Sequence, residues 1–137
     1  MAVTSSAILQ DFLEKVVKAI GNVDSPDPTT WLAMGAGDSD TPAAATDHTL
    51  IGNAIYVTVT PTYEADYKVV YNHQFTYAEI HGTLTADTIK EICVTKSNTE
   101  YASGDLMMRA VVDPVVLGDS EDKYDFTFKL EAEDSTA

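Results

Sequence analysis

"YKVVYNHQFTY", residues 67 to 77, is the stretch whose reading decides the fold. Tyr67, Val69, Tyr71, His73, Phe75 and Tyr77 fall in one phase of a two-residue period. Successive side chains of a strand point to opposite faces, so this alternation predicts a half-buried β-strand rather than a helix. The same period returns on both sides of it. In "AIYVTVT" (54–60), Ile55, Val57 and Val59 alternate with Tyr56, Thr58 and Thr60. In "KYDFTFKLE" (123–131), Tyr124, Phe126, Phe128 and Leu130 share a phase. "IKEICVTK" (89–96) and "LMMRAVV" (106–112) are β-rich runs between turn residues, and "TWLAM" (30–34) makes a sixth candidate strand. Strands without intervening helices cannot form βαβ crossovers, so the sheets should be mainly antiparallel. The expected fold is an antiparallel β-sandwich or jelly-roll-like domain.

One segment keeps a different period. In "SSAILQDFLEKVVKAI" (5–20), Leu9, Phe12, Leu13, Val16 and Ile20 form one stripe at helical spacing. Ser5 or Ser6 is placed to cap the first free N–H groups, and Gly21 follows the last periodic residue. "DSPDP" (24–28) then prevents continuation. The expected organisation is an N-terminal helix and linker over 1–28, followed by a β-domain over 29–137, in one globular unit. Two heptads are too few to argue a coiled coil. The stripe has two equally matched partners, the chain's own sheet or a neighbouring subunit, and the second would make it an assembly helix.

A chain of 137 residues with 45% hydrophobic content is long enough for one buried core and too apolar for wholesale disorder. No apolar run is long enough to span a bilayer, and the start lacks the basic and small-residue pattern of a secretory signal. Charge is the most pronounced feature: 22 acidic residues oppose eight basic ones, for a formal charge of −14. Such a surface repels phosphate backbones, which argues against nucleic-acid binding. The acids are spread between hydrophobic segments rather than gathered in a tail. Like charge at this density opposes compaction in dilute buffer, whereas in molar salt the Debye length falls to about 3 Å and screens it. Acid-rich, Lys-poor, Thr-rich composition resembles that of proteins from extreme halophiles.

"GAGDSD" (35–40) opens the longest stretch of small and polar residues. A phosphate cradle needs Lys-Ser/Thr after its glycines and a helix to follow, and acids stand there instead. Asp38, Asp40 and Asp47 offer hard oxygen ligands of the kind calcium takes, but the EF-hand order with its terminal Glu is absent. With acids this plentiful, the expectation is no ordered metal. A surface connection fits better, with Gly35 and Gly37 allowing turns, Pro42 fixing φ, and the loop over 35–47 facing outward.

"WLAMGAGDSDTPAAATDHTLIGNAI" (31–55) resembles a segment of small tailed-virus structural proteins: a strand into Gly-x-Gly, a Thr/Pro/Ala/Asp-rich loop, and Leu-x-Gly/Asn before a β-run. "GTLTADTIKEICVTKSNTEYASGDLMMRAVVDPVVLGDSEDKYDFTFKLE" (82–131) is similar to the second half of the same family. The likeness lies in the order and spacing of degenerate motifs over residues 30 to 131. Where that family has glycine after Ile-x-Glu-(apolar), Cys93 stands here. What the resemblance implies is a virion component of head-decoration, turret, tail-fibre or baseplate type, with no catalytic residues to carry over. The acidic composition then points to a virus of haloarchaea.

The residue types that commonly carry chemistry form no recognisable constellation. His48, His73 and His81 lack the i, i+4 spacing of many helical zinc sites. Lone Cys93 cannot form an intramolecular disulfide and reads as a small buried hydrophobe. Glu64, Glu79 and Glu91 could furnish an acid/base pair, but carboxylates are too plentiful for that choice to carry weight, and no Gly-x-Ser-x-Gly elbow is present. No catalytic or cofactor-binding residue is assigned. Arg109 and Glu91 stand out because each sits mid-way along an apolar run. Opposed on adjacent antiparallel strands, they would form a guanidinium–carboxylate pair fixing strand register or a subunit contact.

The expected function is therefore structural, on the surface of a virion. The chain would hold to copies of itself and to other virion proteins, with loops free to contact a host glycan or protein. The alternative is a soluble carbohydrate- or ligand-binding β-module assisted by calcium at Asp38 and Asp40. An enzyme ranks third.

Overall fold

In the computed structural model, residues 3–8, 32–47, 50–64, 68–96 and 106–131 are described. Strands dominate them: β1 (Val3–Ile8), β2 (Ala33–Gly37), β3 (Ala54–Thr58), β4 (Thr62–Glu64), β5 (Lys68–Thr76), β6 (Thr88–Thr95), β7 (Leu106–Val116) and β8 (Lys123–Glu131). A single helical turn, α1 (Tyr77–Ile80), and a 3-10 turn (Thr85–Asp87) stand between β5 and β6. One sheet has the order β1-β7-β6-β2-β3 and the other β4-β5-β8, and every described pairing is antiparallel. The fold is a β-sandwich of unequal layers.

Facing phases of the strands pack between the sheets. Met34, Ala36, Ile92, Val94, Met108, Ala110 and Val112 of the larger sheet share one core with Tyr71, Phe75 and Phe126 of the smaller. Burying a large apolar side chain stabilises by about 1.5–3 kcal/mol, so this layer supplies most of the driving force. The smaller sheet shows its polar phase to solvent: Asn72 and Gln74 face Thr127 and Asp125 across β5 and β8.

Three expectations about elements change. Ser5–Ile8 belong to β1, not to the first turn of a helix; they pair with Met108–Val111 on β7 and so join the larger sheet. Ladder hydrogen bonds to β7 outweigh a local helical preference that Ser5 and Ser6 support only weakly. The rest of the expected assembly helix, with Leu9, Phe12, Leu13, Val16 and Ile20, lies outside the described residues, as does the boundary at residue 28. The strand expected at 30–34 is displaced to Ala33–Gly37 and runs through Gly-Ala-Gly. The run expected to end at Tyr77 stops at Thr76, whose N–H donates to Glu79 Oε1 (2.8 Å), tying down the start of α1.

β7 continues beyond its apolar run through Pro114. β1 extends only as far as Val112, and β6 slips register between Ile89 and Glu91. Pro114 thus sits at a bulge with β1 no longer beside it, one of the few places a sheet tolerates proline.

Candidate functional site

The face of the larger sheet turned away from the smaller one is also largely buried, and its rows can be read across the strands. One row is Tyr56, Gly35, Cys93, Arg109 and Ala7; the next is Ala54, Gly37, Glu91, Val111 and Ser5. Gly35 and Gly37 are strand residues whose missing side chains make room. A Cβ on Gly35 would lie 2.7 Å from the Tyr56 ring and 2.8 Å from Cys93 Sγ. A Cβ on Gly37 would meet the Glu91 carboxylate. The glycines expected to form turns serve instead as the floor under a ring and an acid.

Glu91 and Arg109 are both fully buried and do come together. Cys93 is directly opposite Arg109 and Val111 opposite Glu91, so the pair is diagonal in the ladder. Arg109 Nε donates to Glu91 Oε2 at 2.7 Å. Nη2 is also 2.7 Å from that oxygen, but its N–H bonds are not aimed at it, so the contact is ionic and adds no second hydrogen bond. Glu91 is completed by the backbone N–H groups of Gly52 (2.9 Å to Oε1) and Ile51 (3.2 Å to Oε2). On the other side Arg109 Nη1 donates to Asp47 Oδ2 at 3.2 Å. Hydrogen bonds offset the cost of burying a carboxylate and a guanidinium. Here those beyond the pair itself come from one loop, and Arg109 Nη2 is left without one.

In that loop, 38–53, residues 38–47 and 50–53 fold back over the sheet. Leu50 is buried against Cys93, with Ala7, Ala54 and Tyr56 around it. Ala43 N–H donates to Ser5 Oγ (2.9 Å), fastening the loop to β1. Its two ends meet where Asn53 N–H donates to Asp38 Oδ1 at 2.8 Å and Asp38 N–H donates to Asn53 O at 3.2 Å. Asp38 Oδ2 accepts from Thr85 N–H at 2.8 Å, joining the loop base to the 3-10 turn before β6. Burial pushes the Asp38 carboxyl up, but the donors from Thr85 and Asn53 outweigh it and hold the group below its ordinary pKa. Closed ends and internal packing are the marks of a compact Ω-type loop. Within residues 35–47 only Asp40–Pro42 and Ala44–Thr46 are exposed, so the outward-facing part of that stretch is narrower than expected.

The candidate calcium ligands Asp38, Asp40 and Asp47 do not converge. Asp38 is engaged by Asn53 and Thr85, Asp47 by Arg109 and by Ala44 N–H (2.9 Å), and Asp40 stands exposed. Among the described residues no three His, Cys, Asp or Glu side chains group as metal ligands would. Cys93 is inaccessible, and burial, reinforced by the Glu91 charge, pushes its thiol far above the ordinary range. A thiol held in that state is a poor nucleophile.

The histidines and remaining glutamates are in separate places. His73 Nε2 is 3.0 Å from Glu79 Oε2, and the ring meets Phe75 edge-on. His81 stacks on Tyr77 at the end of α1, with Nδ1 3.0 Å from Asp87. Glu64 pairs with Lys129 at 3.5 Å on the smaller sheet. His48 lies outside the described residues. What sequence reasoning missed is the role of Asp47, Leu50, Ile51 and Gly52 as the cover of the ion pair. "Leu-Ile-Gly" after a polar stretch was the available signal, an apolar anchor too short to read as a strand. No family model matches the sequence, and no curated protein and no solved structure matches it either.

Proposed function

We propose that this protein is a structural component of a virus particle surface, a capsid decoration, turret, tail-fibre or baseplate subunit, which presents the 38–53 loop from a rigid sandwich. The observation that carries this reading is the clamping of that loop. Its exposed tip stands on a base held by Glu91, Arg109 and Asp38, and the chemistry beneath it is closed to solvent. Such an arrangement suits display and contact rather than turnover, because the ionisable groups are consumed in holding the loop. The order of the motifs over residues 30 to 131 supports a tailed-virus component, and the charge of −14 fits a particle working in concentrated salt. Repetition on a particle multiplies weak contacts into avidity.

The calcium-assisted binding module has less support, since Asp38 and Asp47 already hold protein donors. Immunogold labelling tests the particle role. Antibody raised against the folded protein should decorate released particles in haloarchaeal cultures that carry the gene. Label confined to cell debris or cytoplasm would contradict it.

A further inference from the structure

Strand β8 is one edge of the smaller sheet. It pairs with β5 on one side, and among the described residues no strand pairs with it on the other. It is nine residues long and alternates cleanly. Lys123, Asp125, Thr127, Lys129 and Glu131 are exposed on the outer face, while Tyr124, Phe128 and Leu130 are half-buried beside the core. A long edge of this kind presents a row of backbone donors and acceptors to any strand that can match it. Natural edges are protected by charges that repel a second copy, and the charges on β8 have the opposite arrangement.

We propose that β8 pairs antiparallel with β8 of a second copy about a two-fold axis at Thr127, joining two three-stranded sheets into one of six strands. This rests on the self-association in the reading above, though not on the virion role. In that register Lys123 faces Glu131 of the second copy, Asp125 faces Lys129, and Thr127 faces Thr127, so every charge on the outer face meets its opposite. On the inner face Phe126 meets Phe128 and Tyr124 meets Leu130, the aromatic and aliphatic cross-strand pairs that stabilise sheets.

Neighbouring registers each bring like charges together. Sliding by two residues one way places Lys123 against Lys129, and the other way Asp125 against Glu131. A slide of four places Asp125 against Asp125 or Lys129 against Lys129. Parallel in-register pairing matches every charge with itself. The strand is therefore self-complementary in one alignment and self-repelling in the others nearby. The surrounding surface favours the approach as well. On this face Lys68, Lys123 and Lys129 balance Glu64, Asp125 and Glu131, leaving a locally neutral patch on a chain of charge −14. Two copies can meet there without bringing net negative surfaces together. The interface is isologous, as a closed dimer requires.

Cysteine cross-linking of the full-length protein tests the register. In the paired state the two Thr127 Cα atoms lie about 4.5–5.5 Å apart, within disulfide reach. Two Asp125 residues would be offset by four residues, about 13 Å along the strand, beyond that reach. Buried Cys93 stays out of the reaction. Under mild oxidation Thr127→Cys should lose most of its monomer band to a reducible dimer on a denaturing gel, and Asp125→Cys should keep its own. Sedimentation of the unmodified protein separates the possible failures. An oligomer in which both variants behave alike overturns the β8 pairing and leaves self-association standing. A monomer at every concentration, with neither variant cross-linked, overturns both.

Discussion

At the residue scale the molecule turns on Glu91 and Arg109, two charges placed where the sequence is otherwise apolar. Removing one partner leaves the other buried, which typically costs about 3–5 kcal/mol. Arg109→Met should therefore lower the free energy of chemical unfolding by about that amount. Glu91→Leu combined with Arg109→Met should cost clearly less than the sum of the single changes; additive losses would mean the two groups are not coupled. Gly37→Ala tests the floor beneath the pair. Its methyl meets the Glu91 carboxylate, so a loss of about 1–3 kcal/mol is expected in place of the gain an alanine usually brings to a strand. Asp38 adds a pH signature. Its carboxyl titrates lower in the folded chain than in the unfolded one, so its contribution is complete above about pH 4 and is lost as pH falls through the depressed folded value. The stability gap between the protein and Asp38→Asn should hold from neutral pH down to about 4 and narrow below it. A gap that widens in acid would contradict the assignment.

At the element scale the decisive contact is Leu50 on Cys93. Native Cys93 should resist thiol reagents until the chain unfolds. Leu50→Ala, which removes the covering side chain at a cost of about 2–5 kcal/mol, should speed its modification in folded protein. Equal rates in the two proteins would show that Leu50 does not cover the thiol. How much of this the sequence carried depends on range. The alternating runs became β3, β5 and β8 because burial on one face of a strand writes a period of two into the chain. The β-rich runs at 89–96 and 106–112 became β6 and β7, buried on both faces. β1 was illegible: its partner is about a hundred residues away, and Ser-Ser-Ala-Ile continues a helical stripe as well as it fits a strand. Glycine has two uses, and in "GAGDSD" composition alone favoured turns over close approach. Glu91 and Arg109 could be singled out as charges in apolar runs. Their diagonal register and the loop that completes them could not, because both arise from contacts across the sheet.

At the scale of the whole molecule, the described residues form two sheets and a folded-back loop around a buried ion pair, in a chain of strongly acidic composition. Self-repulsion from a charge of −14 is screened as salt rises, so the melting temperature should climb from dilute buffer to molar potassium chloride. A melting temperature indifferent to salt would remove the halophilic part of the account. The central claim is that the 38–53 loop is an integral piece of the sandwich, held by the Glu91 carboxylate, and amide hydrogen exchange addresses it most directly. Ile51 is 50% exposed, yet its N–H and that of Gly52 donate to Glu91. Those two amides should exchange only with global unfolding, as slowly as the amides of β6, while Ala45 and Thr46 at the exposed tip exchange far faster. Exchange of Ile51 and Gly52 at the rate of that loop tip would mean the loop opens independently, and the account would fail.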